Sequence, residues 1–221
     1  MKISANELME LAVLVHKQSG IILDKDKAYL VESRLAPLLD EYALSSFTEL
    51  IAKLKDSPEL VNRIIDSMTT NETSFFRDRK PYDLLIKKLL PEWSGRQNGG
   101  RGTLDIWSSA CSTGQEVYSV AMTLMEFFKE DLFHHRIKIK ATDISDSAII
   151  KASRGQYTNF EAKRGLDDSC LKKYFRQEGS TWKIIDELRS LAYFEKMNLL
   201  KPQDETEAFD LIFCRNVAIY F

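Results

Sequence analysis

Apolar residues recur at helical spacing through the first third of the chain and at strand spacing only after it. Leu8, Leu11, Ala12 and Val15 form one stripe behind Ser4-Ala-Asn-Glu7, a capping-box pattern, and Gly20 is the expected stop. A second helix is expected from near Asp24 to Asp26, carrying Tyr29, Leu30, Leu35 and Leu38, with Pro37 shortening or kinking it. Ser46-Phe-Thr-Glu49 reads as another capping box and opens a short helix through Leu54. Ser57-Pro58 supplies a cap and a first-turn proline for a helix to about Met68. Thr69 to Asp78 interrupts the pattern with polar and β-branched residues and then Phe75-Phe76. Pro81 to Leu90 resumes a helix, which Pro91 is expected to end.

Residues 94–102 hold four glycines and read as the loop entering the first strand, with a domain linker the alternative. Thr103-Leu-Asp-Ile-Trp107 then reads as a short buried strand, Ser108 to Glu116 as a turn of almost all small residues, and Val117 to Phe128 as a buried helix. Small residues let the backbone turn tightly and approach a ligand. Ile137 to Thr142 alternates as a strand and ends at Asp143; Ser145 caps a helix that stops at Gly155. Asp167 or Asp168 starts another helix, through Tyr174-Phe175. Residues 180–185 and 192–197 look like paired strands, and 209–214 like a buried one. This alternation after residue 100 predicts an α/β fold with a mostly parallel sheet.

Composition narrows the class without naming a function. With 44% hydrophobic and 29% charged residues among 221, the chain is ordinary globular protein. No apolar run reaches the length of a membrane span, and the start is not a signal peptide. Cys111, Cys170 and Cys214 are odd in number and widely spaced, which predicts free thiols in a reducing cytoplasm. No Cys/His cluster has metal-ligand spacing, and a net charge of −2 makes no general case for nucleic acid.

Strand, small-residue turn and helix form the arrangement that holds nucleotide-like ligands at the carboxyl end of a doubly wound sheet. The turn has one glycine, Gly114, so it lacks the G-x-G-x-x-G fingerprint, and an ordinary tight turn is the alternative. Asp143, at a strand end, suits ribose hydroxyls, or else caps a helix. Glu116 lies in a first helical turn, where acids also gain from the helix dipole. Arg77 offers a rigid five-donor fork for a carboxylate, or else sits on the surface beside Asp78. Arg215 and Asn216 follow a buried strand, and Tyr220 either joins the core or presents its hydroxyl to the crevice.

Four motifs together resemble the CheR family of chemotaxis receptor methyltransferases: Asn71-Glu-Thr-Ser-Phe-Phe-Arg77; Trp107 through Gly114-Gln-Glu116 to Ser119; Ala141-Thr-Asp-Ile-Ser145 with Gly155-Gln-Tyr157; and Phe209 through Cys214-Arg-Asn216 to Phe221. The resemblance implies a small all-α domain, 1–70. It implies a Rossmann-like S-adenosylmethionine-dependent methyltransferase domain, 71–221, with a small antiparallel β-subdomain at about 176–197. It implies a cytoplasmic enzyme, without membrane insertion, that methylates glutamate side chains on the cytoplasmic region of chemoreceptors and so tunes adaptation. By motif position Asn71, Thr73, Arg77, Ala110, Gly114, Glu116, Asp143, Asn198, Leu199, Arg215 and Asn216 would line the cofactor pocket. Arg77, Arg215 and Tyr220 would shape methyl transfer, so Arg77→Ala or Tyr220→Phe is expected to lower turnover more than cofactor binding. No metal is implied.

The chain departs from the family pattern in three places. Gly114-Gln-Glu-Val-Tyr118 stands where the family has Gly-Glu-Glu-Pro-Tyr. Residues 1–94 hold 13 basic against 15 acidic side chains, whereas the family's helical domain is basic. The chain stops at Phe221, where family members continue through a final helix and strands, so an exposed sheet edge is expected. These departures leave two alternatives: a shortened module that binds S-adenosylmethionine or S-adenosylhomocysteine without transfer, and a methyltransferase on another substrate. The short link Arg176-Gln-Glu-Gly-Ser180 implies no binding of a C-terminal receptor pentapeptide, which members with a longer, glycine-rich loop recognise.

Overall fold

The computed structural model describes residues 2–97, 102–201 and 208–220; the side chains of Phe133 and Tyr220 lie outside that description. The chain divides into two compact units, one of Met1–Thr70, Asn198–Gln203 and Asn216–Phe221, the other of Asn71–Met197 and Asp204–Arg215.

The first unit is helical. α1 (Ala5–Ser19) starts at the expected capping box, Ser4 accepting from the Glu7 N–H and Glu7 reaching back to the Ser4 N–H, and ends on Gly20 in the left-handed region. A 3-10 turn, Lys25–Lys27, leads into α2 (Ala28–Glu41), which runs through Pro37 and is not shortened by it. α3 (Phe47–Leu54) is capped by Ser46, but the Glu49 side chain takes the Ser45 N–H and hydroxyl, so only half of the expected box forms. α4 (Pro58–Met68) follows Ser57 as expected. Leu11, Val15, Val31, Leu35, Phe47, Leu50, Leu60 and Ile64 bury the inward faces. Arg34 donates to the carbonyls of Met68 and Thr69, tying α2 to the end of α4. Asn198 donates to the Gln18 carbonyl at 2.7 Å.

The second unit begins with a helix that does not stop at Pro91. α5 (Lys80–Leu84) passes through a π-helical turn, Leu85–Leu89, into α6 (Leu90–Arg96). The Leu90 N–H bonds the Leu85 carbonyl, five residues back. That wider turn accommodates a ring that would clash in a regular helix. The glycine-rich stretch around residues 98–101 lies outside the described residues. β1 (Thr103–Ser109), α7 (Gln115–Phe128), β2 (Arg136–Asp143) and α8 (Asp146–Arg154) follow in the expected order. Short elements without a signal in the pattern include β3 (Gln156–Thr158), α9 (Asn159–Lys163) and, later, α11 (Asp186–Arg189). Between them come α10 (Asp168–Tyr174), β4 (Phe175–Glu178) and β5 (Thr181–Ile184), then β6 (Ala192–Lys196) and β7 (Leu211–Cys214) after α11.

The main sheet has the order β6-β2-β1-β7, every pair parallel. A second, antiparallel sheet has the order β3-β5-β4. The expected pairing of residues 180–185 with 192–197 is therefore corrected: β5 pairs with β3 and β4, while β6 joins the main sheet beside β2. β6 is an edge strand, exposed at Tyr193, Glu195 and Lys196. Its polar alternation imitates a strand of a half-solvated antiparallel sheet. The core lies between α7, which is buried on nearly every face, and the sheet, with Phe75, Tyr82, Tyr157 and Phe175 packed against them.

Candidate active site

The register of the parallel strands brings three expected residues to one level. Ser109 pairs with Thr142 on one side and with Cys214 on the other. The next residue on each strand is Ala110, Asp143 and Arg215. Neighbouring strands lie about 4.8 Å apart, so Asp143 and Arg215 flank the β1 turn across roughly two strand spacings. β2 lies on one side of β1 and β7 on the other, so chain direction across the sheet reverses at β1. Ligands of such sheets bind at that reversal, beyond the strands' carboxyl ends.

The turn after β1 is held in an unusual conformation. Ala110, Ser112 and Gly114 have φ of 56°, 52° and 91°. Left-handed non-glycine residues cost of order 1–3 kcal/mol each and persist only where surroundings over-determine them. Here the Cys111 N–H bonds the Thr142 carbonyl at 2.8 Å and the Ser112 N–H bonds Asp143 Oδ2 at 2.7 Å. Five of the seven positive-φ non-glycine residues among those described (Phe76, Asp78, Ala110, Ser112 and Asn216) fall on the stretches singled out in the sequence. Gly114 is needed twice over, since a Cβ there would lie 2.9 Å from Ala152 Cβ at a φ of 91°.

Asp143 is buried and fixed by two backbone donors, Ser112 N and Ser145 N at 2.7 and 2.9 Å. Asn71 joins this group: its carbonyl accepts from Ser112 Oγ at 3.0 Å, and its amide donates to Ser145 Oγ at 3.3 Å. Ser112 and Ser145 carried no functional signal in the sequence, because small hydroxyl residues read as turn and cap formers.

A second group forms around Glu116. Its Oε1 accepts from Ser108 Oγ at 2.9 Å and its Oε2 from Arg215 Nη1 at 2.9 Å. Arg215 also donates to the Arg77 carbonyl at 2.9 Å and to Asp78 Oδ2 at 3.0 Å. Burial raises the Glu116 pKa, opposed by Ser108, Arg215 and Arg77 in that order. The Arg77 side chain donates to the Glu72 carbonyl at 2.9 Å, and its charge is felt at Glu116. The two groups are joined at Cys111, whose thiol burial drives up, with Asp143 and Glu116 both adding to the shift. Asp143 thus holds the turn at Ser112, Glu116 holds Arg215 beside Ser108, and Arg77 joins the second group through its carbonyl. Thr73, half-buried, lies on the same segment as Asn71 and Arg77.

Asn198, Leu199, Asn216 and Tyr220 belong to the first unit. There Asn198 Oδ1 accepts the Leu200 N–H at 3.0 Å, Asn216 has a φ of 56°, and Tyr220 ends a 3-10 turn from Ala218. A groove of about 260 Å³ lined by Asp105, Lys138, Lys140, Tyr193 and Phe209 opens at mid-strand and holds none of the expected site residues. It lies below the carboxyl ends where such sheets bind ligands.

The charged groups present fit those of S-adenosylmethionine. An acid pinned by two N–H groups faces where a ribose sits in such folds. An acid and a guanidinium side by side complement the ammonium and carboxylate of an amino acid. Gly114 lets the turn close onto α8 and β3, since a Cβ there would lie 2.9 Å from Ala152 Cβ and 3.1 Å from the Tyr157 hydroxyl. No group of His, Cys, Asp and Glu among the described residues could hold a metal ion. No helix among them is long and apolar enough to cross a membrane.

Residues 71–221 match the family described as CheR methyltransferase, SAM binding domain, and residues 6–69 match CheR methyltransferase, all-alpha domain. Chemotaxis protein methyltransferase Cher2 of Pseudomonas putida is 38% identical over 214 residues, covering 95% of this chain and 77% of its own length. Chemotaxis protein methyltransferase 1 of Pseudomonas aeruginosa is 40% identical over 223 residues, covering 99% and 81%. Chemotaxis protein methyltransferase 1 of Vibrio cholerae is 38% identical over 223 residues, covering 99% and 80%.

Proposed function

Because the chain belongs to the CheR methyltransferase family, whose catalytic domain uses S-adenosylmethionine, we propose that it transfers the methyl group to glutamate side chains on the cytoplasmic region of chemoreceptors. The observation that carries the reading is the strand register that sets Asp143 and Arg215 on either side of the strained turn after β1, with Glu116 bonded to Arg215.

S-adenosylmethionine supplies a methyl group on positively charged sulfur. A glutamate side chain, with an ordinary pKa near 4.3, is already ionised at neutral pH and needs no general base to attack it. The protein's work is then alignment of two reactants and exclusion of water. In this reading Asp143 holds the ribose, Glu116 the ammonium end, and the Ala110–Gly114 backbone the close approach. Arg77 meets the acceptor carboxylate. Arg215 is already engaged by Glu116 and Asp78, so it first keeps a buried acid charged and in place. Asn198, Leu199, Asn216 and Tyr220 are assigned to the pocket by the family resemblance alone.

Arg77→Ala is expected to lower turnover roughly 10- to 100-fold, as loss of a positioned donor does, while the affinity for S-adenosylhomocysteine changes less than about threefold. Steady-state kinetics beside calorimetry measure both, and unchanged turnover removes the assigned role. The β4–β5 connection is a two-residue turn, Glu178 pairing directly with Thr181 around Gly179 at a φ of 60°. Titration with a receptor C-terminal pentapeptide is expected to show no binding, and tight binding would overturn this. The proposed activity is tested with methyl-labelled S-adenosylmethionine and a chemoreceptor cytoplasmic fragment. Label on glutamate side chains, released by alkali as a methyl ester is, supports it. Binding without transfer, or transfer only to other acceptors, contradicts it.

A further inference from the structure

One buried side chain beside the candidate site has no assigned task. Tyr82 is 3% exposed, and its hydroxyl has no hydrogen-bond partner among the described residues. A buried O–H left unpaired is costly and rare, and calls for a reason. The ring itself is fixed, edge-on to Phe76 with centroids 5.2 Å apart and stacked on Phe213 at 6.4 Å. The Arg215 guanidinium lies 6.0 Å from the ring centre.

Arg215 links Tyr82 to the Glu116 group, lying by the ring and bonding Glu116 Oε2 at 2.9 Å. Burial pushes the phenol up to about 12, Glu116 adds to the shift, and Arg215 and Ser119 oppose it. Ser119 and Arg215 lie alongside, yet neither meets hydrogen-bond geometry with the hydroxyl. Ser119 Oγ is engaged elsewhere, donating to the Gln115 carbonyl at 2.6 Å and accepting the Phe76 N–H at 2.9 Å. Tyr82 is therefore a donor that keeps its proton throughout the physiological range. Arg215, 6.0 Å from the ring centre, is bonded to Glu116, whose other oxygen is occupied by Ser108. Of those two partners, Arg215 is the one with a use elsewhere, because its fork suits an incoming carboxylate. Were Arg215 to turn away alone, the largely buried Glu116 would lose its ion-pair partner on Oε2.

We propose that Tyr82 is a positioning residue of the site: its hydroxyl donates to the Glu116 carboxylate when Arg215 turns from Glu116 to the carboxylate of the cofactor's amino-acid end. The assignment rests on the pocket reading given under the proposed function, and makes the orphaned hydroxyl the reserve partner of Glu116 in the loaded protein.

The test is Tyr82→Phe, which keeps the ring packing and removes only the hydroxyl. Without ligand its melting temperature is expected to equal or exceed that of the wild type, since an unpaired polar group has gone. The dissociation constant for S-adenosylhomocysteine is expected to rise about tenfold, as for a hydrogen bond to a charged group. The affinity for 5′-methylthioadenosine, which lacks the amino-acid end, is expected to stay the same. Unchanged S-adenosylhomocysteine affinity overturns the proposal. So does equal weakening of both ligands, with or without a lower melting temperature, because that marks a packing role. Wild-type protein that binds neither ligand overturns the pocket reading itself, and the role of Tyr82 with it.

Discussion

Gly165→Ala is expected to destabilise the second unit by roughly 3–5 kcal/mol, from left-handed strain plus overpacking. Gly165 has a φ of 107°, and a Cβ there would lie 2.0 Å from the Phe75 carbonyl oxygen and 2.9 Å from its carbon. Those are backbone atoms, so no rotamer change relieves the clash and the whole segment must shift. Phe75 is 1% exposed and packs edge-on against Tyr157 and Phe175, with centroids 5.0 and 5.6 Å apart. The next residue, Phe76, donates its N–H to Ser119 on α7. Two residues beyond Phe75, the carbonyl of Arg77 accepts from Arg215. Moving Phe75 therefore disturbs the segment that carries Arg77. At about 2–4 °C per kcal/mol for a chain of this size, calorimetry should show the transition of the variant roughly 6–20 °C lower. Gly179→Ala is the control. Its φ of 60° carries similar strain, but nothing lies within 4 Å of the added Cβ, so it should cost only about 1–2 kcal/mol. Equal losses in the two variants would contradict the argument from close approach.

Arg215→Met should be nearly as damaging and should depend on pH in a defined direction. Arg215 is 18% and Glu116 13% exposed at the side chain, and they are bonded at 2.9 Å. Removing one partner of a buried pair costs about 3–5 kcal/mol, because the other charge is left without compensation, and this largely buried pair should fall toward the lower end. Burial already raises the Glu116 pKa, and Arg215 is among the groups holding it down, so the variant raises it further. A carboxyl whose folded pKa lies above its unfolded value binds its proton more tightly in the folded state. It therefore favours folding most below the unfolded pKa, and that advantage is lost as pH rises toward the folded one. The deficit of Arg215→Met against wild type is thus expected to be smallest near pH 4.5 and to grow toward neutral pH. Melting curves across that range measure it. A deficit independent of pH would mean that Glu116 does not carry the buried charge.

The helical unit was legible because its signals are local. Ser4 with Glu7, Ser57 with Pro58 and Gly20 each act within one turn, and the helix bounds follow them closely. Pro91 misled because its conflict is relieved by the π-helical turn before it, which no residue in that stretch announces. β6 misled because an edge strand of a parallel sheet carries the polar alternation of an antiparallel one. Charged residues at or just past a strand end, as at Asp143 and Arg215, or in a first helical turn, as at Glu116, stand out in the sequence as candidates. The site was not legible where partners meet across the chain: Ser112 with Asp143, Ser108 with Glu116, and Gly165 with Phe75. Gly165 lies just past α9, a five-residue helix too short to leave a periodic trace. Tyr82 reads as one more apolar position of a helix, and only its lack of a partner sets it apart.

The central claim is that one pocket at the carboxyl ends of β1, β2 and β7 holds the methyl donor. Its most direct measurement is calorimetric titration of S-adenosylhomocysteine into wild type, Asp143→Ala and Lys138→Ala, the last altering the mid-strand groove. Binding to a single site in wild type is expected, weakened roughly 30- to 100-fold in Asp143→Ala, as loss of charge-assisted hydrogen bonds requires, and unaltered in Lys138→Ala. Equal affinity in wild type and Asp143→Ala, or loss of binding in Lys138→Ala alone, would contradict it.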